Sequence, residues 1–485
     1  MLSDKDLISI QEVRNLVGKA KEAQRKFSSF DQEKIDEIVK AVAKAASKEA
    51  ESLAKFAKKE TGFGKWEDKV VKNKLASDKL YEYIKDMKTI GVLNEDSEKK
   101  IVEIGTPVGV IAGLIPSTNP TSTTIYKALI ALKSGNAIVF SPHPSAVGCI
   151  SKTVEILNRA AISNGTPHGL ISCMEHLTIE GTDELMKHDD VSLILATGGS
   201  AMVKAAYSSG TPALGVGPGN VPAYIERSAD IGLAVKRIFA SKTFDNGTIC
   251  ASEQSIVTER IIEDKVKEEI KRQGGYFLEG EKLAKVVKVM ERPNGGMSPK
   301  IVGKSAEEIA DMVGIEIPKG TRILLCEEKG VGKEYPFSKE KLTGLLGFYV
   351  VEDWEKACEL CFKLLENGGL GHSLSIHSND ENIIREFGLK KPVSRILVNT
   401  PSSQGAVGIT TNLAPSLTLG CGAIGGSASS DNITPMNLIN IRRMAYGVED
   451  VEMKDSEECN SRNLEDIDID VITKLVMEQI QKINK

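Results

Sequence analysis

Lys99-Lys-Ile-Val-Glu-Ile-Gly-Thr-Pro-Val-Gly-Val-Ile-Ala-Gly-Leu-Ile-Pro116 is the stretch on which the fold class turns. Before it, residues 8 to about 90 are rich in Ala, Lys and Glu, with apolar positions at helical spacing, and Glu60-Thr-Gly-Phe-Gly-Lys65 breaks them with a turn. From Lys99 the texture changes to β-branched runs punctuated by Gly and Pro, which predicts strands. Toward the C-terminus, Ala137-Ile-Val-Phe140 predicts a short apolar strand and Val147 to Asn164 a helix. Leu193-Ile-Leu-Ala196 predicts a buried strand ending at Thr197-Gly-Gly-Ser200, and Val221-Pro-Ala-Tyr-Ile225 another. Strands alternating with helices predict an α/β fold, a parallel sheet with helices on both faces. Beyond Phe239 the pattern recurs at Ser255-Ile-Val257, Arg322-Ile-Leu-Leu-Cys326, Gly347-Phe-Tyr-Val-Val351 and Arg395-Ile-Leu-Val-Asn399, a second α/β unit. There are no internal repeats.

A chain of 485 residues is too long for one core, so two or three domains are expected. With 41% hydrophobic and 27% charged residues it has the composition of a soluble globular protein. No apolar run reaches the ~18 residues of a membrane span. Met1-Leu-Ser-Asp-Lys-Asp-Leu7 lacks the apolar core of a secretory signal, and eight cysteines without a pairing pattern suit a reducing cytoplasm. A net charge of −5 argues against general nucleic-acid binding. The charge is uneven: Glu449 to Lys485 holds eleven acids and five bases, a net of −6, against +1 for the rest.

The chemistry centres on Phe244-Asp-Asn-Gly-Thr-Ile-Cys-Ala-Ser-Glu-Gln254. A cysteine after a glycine-containing turn and before small residues reads as a nucleophile, although free cysteine is more often a buried small hydrophobe. Most of the others, Cys149, Cys173, Cys326, Cys358, Cys361, Cys421 and Cys459, sit in apolar or helical runs. Cys358 and Cys361 form a CxxC inside a helical pattern and are expected in a core. With no second CxxC, no His at zinc spacing and no HExxH, no metal site is expected. Three further segments accompany Cys250: the Pro-flanked loop Ile115-Pro-Ser-Thr-Asn-Pro-Thr121, the turn Thr197-Gly-Gly-Ser200, and the loop Gly215-Val-Gly-Pro-Gly-Asn220. Each alone is a weak signal, since glycine loops in α/β proteins are mostly tight turns, and neither GxGxxG nor a Walker A loop is present. Their order and spacing carry the information.

That order resembles the aldehyde dehydrogenase superfamily over roughly residues 10 to 447, and within it the CoA-acylating branch of propionaldehyde and acetaldehyde type. The branch-like text is Ile115–Thr121, Asp245–Gln254 and Gly371-His-Ser-Leu-Ser-Ile-His377. The resemblance implies two Rossmann-like parallel-sheet domains plus a β-hairpin oligomerisation element. These are a nicotinamide-cofactor domain over 1–243, interrupted near 95–110, a catalytic domain over 244–427, and an oligomerisation segment over 428–448. The hairpin would pair the strand before Pro107 with the segment around Asn437-Leu-Ile-Asn-Ile441, in a homodimer or homotetramer. By position, Cys250 is the nucleophile, and the Asn119 amide with the Cys250 backbone N–H holds the oxyanion. The cofactor would lie against Pro116, Ser117, Ser141, Pro142, His143, Thr197, Gly198, Gly199, Ser200, Gly215, Val216, Gly217, Glu340 and Leu342. Glu340 matches a carboxylate on the nicotinamide-side ribose, and read on its own is a solvated helix charge.

Two departures are informative. Hydrolytic relatives carry a general-base Glu about 35 residues before the cysteine; here that point is Gly215. Thioester hydrolysis needs a base to activate water. Without one the acyl-enzyme should wait for another nucleophile, and coenzyme A, a thiol, suits that role. The family's cofactor-loop Lys is replaced by Ser141 in Phe140-Ser-Pro-His-Pro-Ser145, which leaves NAD against NADP open. The expected reaction joins a short-chain aldehyde (propanal, acetaldehyde), NAD and coenzyme A into acyl-CoA and NADH through a Cys250 thiohemiacetal and thioester. Other acylating substrates (butanal, sulfoacetaldehyde, succinic semialdehyde), a phosphate-dependent acyl-phosphate reductase, and a non-catalytic scaffold are the alternatives.

The acidic stretch 449–463 reads as a linker. After it Asn463 reads as a helix cap, and Leu464, Ile467, Val471, Ile472, Leu475, Val476, Ile480 and Ile483 form one apolar stripe over 464–485. This segment resembles the encapsulation peptides that target such enzymes to the lumen of bacterial microcompartments by binding a shell protein. Docking on its own body or a neighbouring subunit is the other reading, and a membrane-surface helix is disfavoured by the acidity.

Overall fold

The computed structural model describes residues 4–292, 297–451 and 469–483. The N-terminal region is helical. Helix Lys5–Phe27 is capped by Asp4 and buries Val13, Val17, Ala20, Ala23 and Phe27, spaced so that they share one face. Helix Gln32–Lys48, capped by Asp31, buries Ile35, Ile38, Val39, Val42 and Ala46 in the same way. Helix Ala50–Thr61 stops where Gly62 turns left-handed at φ 71°, and helix Trp66–Lys74 begins four residues on, at the break read in the sequence.

These helices cover a parallel five-stranded sheet, in the spatial order Ile171–Cys173, Ala137–Pro142, Val110–Ile115, Val191–Thr197, Ala213–Val216. Strands Val110–Ile115 and Ala137–Pro142 are buried at every residue. That is what a parallel sheet sandwiched between helices requires. Helix Pro120–Lys133 is buried along its whole length and packs on these strands. Each large aliphatic side chain buried there is worth about 1.5–3 kcal/mol, so the apolar runs and not local propensity hold this layer.

The second sheet is also parallel and has seven strands, in the order Gly275–Phe277, Ile323–Glu327, Leu345–Val351, Glu253–Glu259, Val221–Ile225, Gly371–His377, Val393–Val398. Residue 243, the expected boundary, ends a helix that packs on this sheet. Strand Val221–Ile225 lies between Glu253–Glu259 and Gly371–His377, and helix Ile231–Thr243 packs its Val235, Ile238 and Phe239 with Ile256 and Phe348. The chain therefore changes sheets at Gly217–Asn220. Apolar periodicity specifies a buried strand but not its partners, so the switch was not visible in the pattern.

A small antiparallel sheet orders Gly91–Asp96, Ile101–Pro107 and Ile439–Ala445. The expected pairing before Pro107 is present, with Ile439 opposite Pro107 and Ile441 opposite Gly105. The strand Gly91–Asp96 was not anticipated. Cys358 and Cys361 are free thiols buried on helix Trp354–Glu366. Helix Ile469–Ile483 presents Ile469, Val471, Ile472, Leu475, Val476 and Ile480 to solvent. Asn463, Leu464, Ile467 and Lys485, with most of the acidic linker, lie outside the described residues. Among the described residues no helix is long and apolar enough to cross a membrane.

Candidate active site

Parallel pairing in the first sheet brings four loops to one edge. Ile115 is in register with Pro142, Leu114 with Ala196, and Thr197 with Val216. Pro116–Ser117, Ser141–His143, Thr197–Ser200 and Gly215–Gly217 therefore emerge together at the carboxyl ends of their strands, where open α/β sheets bind ligands. The second sheet meets this edge with its amino ends. Gly219 precedes strand Val221–Ile225, Cys250 precedes Glu253–Glu259, Glu340 and Leu342 precede Leu345–Val351, and His372 lies at the start of Gly371–His377.

The Cys250 loop leaves helix Ile231–Thr243 through Asp245 and Asn246, both left-handed at φ 49° and 51°. Such backbone costs about 1–3 kcal/mol per residue and needs its surroundings to impose it. They do. The Asp245 carboxylate accepts from Lys65 N–H (2.7 Å), Lys69 Nζ (2.9 Å), Lys72 Nζ (2.5 Å) and Thr248 Oγ1 (2.9 Å). Asp245 N–H donates to Asp68 (2.7 Å), and Asn246 Nδ2 to Gly303 O (2.9 Å). Asn119 stands before helix Pro120–Lys133, and its Nδ2 donates to Thr248 O at 2.9 Å, two residues from Cys250. The fold thus joins Asn119 to the cysteine loop across 129 residues.

Cys250 is part-buried. Burial pushes its thiol up to about 12, with the Glu340 and Cys421 charges adding to the rise and the Arg395 guanidinium opposing it. The resting protein supplies a thiol, not a thiolate. Alkylation of Cys250 by iodoacetamide, followed by peptide mapping, is expected to rise about tenfold per pH unit from 7 to 10 without a plateau. A plateau near pH 8 would show a thiolate already formed.

Glu340 is not a solvated helix charge. It lies in a loop, its Oε1 accepts Gly219 N–H at 3.1 Å, and burial pushes its carboxyl up to about 7. His372, quoted in the sequence but given no role there, is fully buried. Its Nδ1 meets Ser373 Oγ at 3.0 Å, and Nε2 has no partner. Burial and then Arg395 push it down to about 3, so the ring is neutral. Gly219 separates it from the cysteine: a Cβ there would stand 1.9 Å from Cys250 O and 3.3 Å from His372 Cδ2.

On the cofactor side, Gly199 caps helix Ser200–Ser208 without a side-chain bond, and Gly199 and Ser200 are exposed. An added Cβ at Gly199 would meet nothing within 4 Å, so the start of this helix is open to a ligand. Ser141 is buried with its hydroxyl 3.0 Å from Thr182 Oγ1, and His143 is exposed beside Ser145. Leu342 takes a left-handed φ of 35° and accepts Gly303 N–H, which ties its loop to the backbone that holds Asn246. Gly215 is embedded: its carbonyl accepts from Ser427 Oγ, and a Cβ would lie 2.8 Å from Val203 Cγ1 and 2.9 Å from the Tyr207 ring. A side chain there would collide with helix Ser200–Ser208.

A cavity of about 250 Å³ is lined by Gly217, Pro218, Glu366, Gly368, Leu370, Ile424 and Gly425. It holds a carboxylate and no cation. A larger groove of about 550 Å³ along helix Trp354–Glu366 shares Glu366 with this cavity and contains neither Cys250 nor Asn119. Among the described residues no group of three His, Cys, Asp or Glu side chains is arranged to hold a metal.

The sequence profile of the aldehyde dehydrogenase family matches residues 5–338, and the chain belongs to that family. It is 46% identical over 448 residues to the bifunctional aldehyde-alcohol dehydrogenase of Escherichia coli (strain K12), covering 91% of this chain and 50% of that protein. The chain thus spans about half the length of the first curated relatives it matches. Among solved structures, a probable aldehyde dehydrogenase from Listeria monocytogenes EGD-e is 60% identical with a TM-score of 0.92, covering 93% of this chain and 99% of that one. An acetylating aldehyde dehydrogenase from Geobacillus thermoglucosidasius is 53% identical with a TM-score of 0.92, covering 93% and 100%. More distant is a propionaldehyde dehydrogenase from the fucose utilisation bacterial microcompartment of Clostridium phytofermentans, 28% identical with a TM-score of 0.81, covering 90% and 97%.

Proposed function

We propose that this chain oxidises a short-chain aldehyde, acetaldehyde or propanal, with NAD and coenzyme A to acyl-CoA and NADH. The observation that carries the reading is the pairing of Asn119 with the Cys250 loop while the base position of hydrolytic relatives is a glycine walled in by Val203 and Tyr207. The Cys250 sulfur bonds to the aldehyde carbon as its proton leaves, and Asn119 and the Cys250 N–H receive the negative charge on oxygen. One such donor is worth about 3 kcal/mol in the transition state. Gly198, Gly199 and Ser200 would hold the pyrophosphate of NAD and Glu340 its ribose, and the cofactor when bound would supply the acceptor for the hydride that leaves that carbon. The thioester left on Cys250 is then attacked by the coenzyme A thiol, which releases acyl-CoA and returns the cysteine.

Purified protein given propanal and NAD is expected to form NADH in steady state only when coenzyme A is added. Rapid turnover to free acid without it would overturn the acylating reading, and phosphate-dependent NADH formation would favour an acyl-phosphate product.

The exposed apolar stripe of helix Ile469–Ile483 supports a second element of the proposal: the helix binds a shell protein and places the enzyme, as a homo-oligomer, in a microcompartment lumen. The microcompartment origin of the Clostridium phytofermentans protein supports the same reading. A fluorescent protein carrying residues 449–485 is expected to co-purify with shells, and diffuse fluorescence in shell-forming cells would count against it.

A further inference from the structure

We infer that Lys72, on helix Trp66–Lys74 of the N-terminal layer, is a positioning residue that orients and strengthens the Asn119 oxyanion donor. The inference rests on the role proposed for Asn119. The lysine is buried, and its Nζ lies 2.6 Å from Asn119 Oδ1, 2.5 Å from Asp245 Oδ2, and 3.3 Å from both Thr248 O and Thr248 Oγ1. An ammonium only donates, so the oxygen end of the Asn119 amide must face it. The amide nitrogen then faces Thr248 O at 2.9 Å. Flipping the amide would set N–H against the ammonium and C=O against a carbonyl, two repulsions in place of two hydrogen bonds. Lys72 therefore selects the rotamer that turns both N–H groups toward the Cys250 side. One is taken by Thr248 O; the other, whose remaining contact is Thr118 Oγ1 at 3.4 Å, is left for the substrate oxygen. A cation on the amide oxygen also draws electron density from the nitrogen, which makes the N–H a stronger donor.

The surroundings are built for this contact. Asp245 compensates the charge, and Lys69 shares the same carboxylate oxygen at 2.9 Å. Asp68 enters through the Asp245 N–H, and the Phe244 ring lies 5.5 Å from Lys72 Nζ. The turn before the helix is shaped to the same carboxylate: a Cβ on Gly64, at φ 66°, would fall 1.7 Å from Asp245 Oδ1. Helix, turn, cysteine loop and oxyanion donor form one hydrogen-bonded unit joined through Lys72.

A double-mutant cycle on CoA-dependent NADH formation tests this. Asn119→Ala is expected to lower kcat about 100-fold. Lys72→Met is expected to lower kcat about 10- to 100-fold with the aldehyde KM unchanged, and Lys72→Arg to recover part of that. Combining Lys72→Met with Asn119→Ala is expected to cost little beyond Asn119→Ala alone, because both remove the same donor. Multiplying losses, or wild-type kcat in Lys72→Met, would overturn the inference and leave Asn119 in its role. Wild-type kcat in Asn119→Ala would overturn the reading beneath it. If Lys72→Met fails to fold, the cycle is run with Lys72→Arg, where the same non-additivity is required.

Discussion

Cys250→Ala is expected to lower CoA-dependent NADH formation by at least about 10⁴-fold, some 5 kcal/mol of transition-state stabilisation, because the proposed mechanism carries the acyl chain on this sulfur. The substitution should leave the fold intact. The loop is held by Asp245, Asn246 and Thr248 through their own hydrogen bonds, and the Cys250 sulfur sits part-buried at the margin of a small apolar cluster. Thermal melting is expected to stay within a few degrees of wild type, as for a small change outside a dense core. Mass spectrometry supplies the complementary readout. Wild type mixed with propanal and NAD, without coenzyme A, should gain one propionyl group on the Cys250 peptide, and the variant none. CoA-dependent turnover surviving in the variant, or the acyl group on another cysteine, would remove Cys250 from the mechanism.

Gly219→Ala is expected to be nearly as damaging by a different route. The methyl would need to occupy a point 1.9 Å from Cys250 O and 2.9 Å from Cys250 C. These are backbone atoms of the proposed nucleophile, so relief requires shifting either the Cys250 backbone or the Gly219 loop beside it. A misplacement of about 1 Å at a reacting group costs on the order of 100-fold in rate, and the expected kcat falls at least that far. Overpacking adds about 1–3 kcal/mol of destabilisation, visible as a lower Tm. The same shift breaks the bond from Gly219 N–H to Glu340 (3.1 Å), so NAD affinity should weaken as well. A Gly219→Ala enzyme with wild-type kcat would show that the loop has slack which this geometry denies.

Gly215 shows how sequence and structure answer different questions. Its place in the chain says that a hydrolytic base is missing. The structure adds that a side chain at this position would press on Val203 and Tyr207, whose side chains would have to move aside. Space for a side chain opens instead at Gly217, where a Cβ would meet nothing within 4 Å.

Much of the candidate site was legible because its parts are local. Asn119, the Thr197–Ser200 turn, the glycine loop and Cys250 each sit where a strand gives way to a loop or helix, and such junctions leave marks in a sequence. Lys69 and Lys72 left none, and Asp245 stood in the cysteine motif with no role attached. Lys69 and Lys72 read as charges on a helix rich in lysine, and their burial against a carboxylate 176 and 173 residues away is a tertiary fact. His372 was quoted for its motif, but its neutrality and free Nε2 depend on the strands that enclose it.

The sequence by itself determined that this is an α/β protein with two parallel sheets, a cysteine in a tight loop and an acidic, amphipathic tail, because apolar periodicity, turn residues and charge are properties of neighbours along the chain. Which sheet receives Val221–Ile225, what holds Asp245 left-handed, and why the Cys250 thiol rests protonated were decided only by the tertiary structure. Strand partners, buried ion pairs and desolvation all depend on groups that the chain brings together from more than a hundred residues apart.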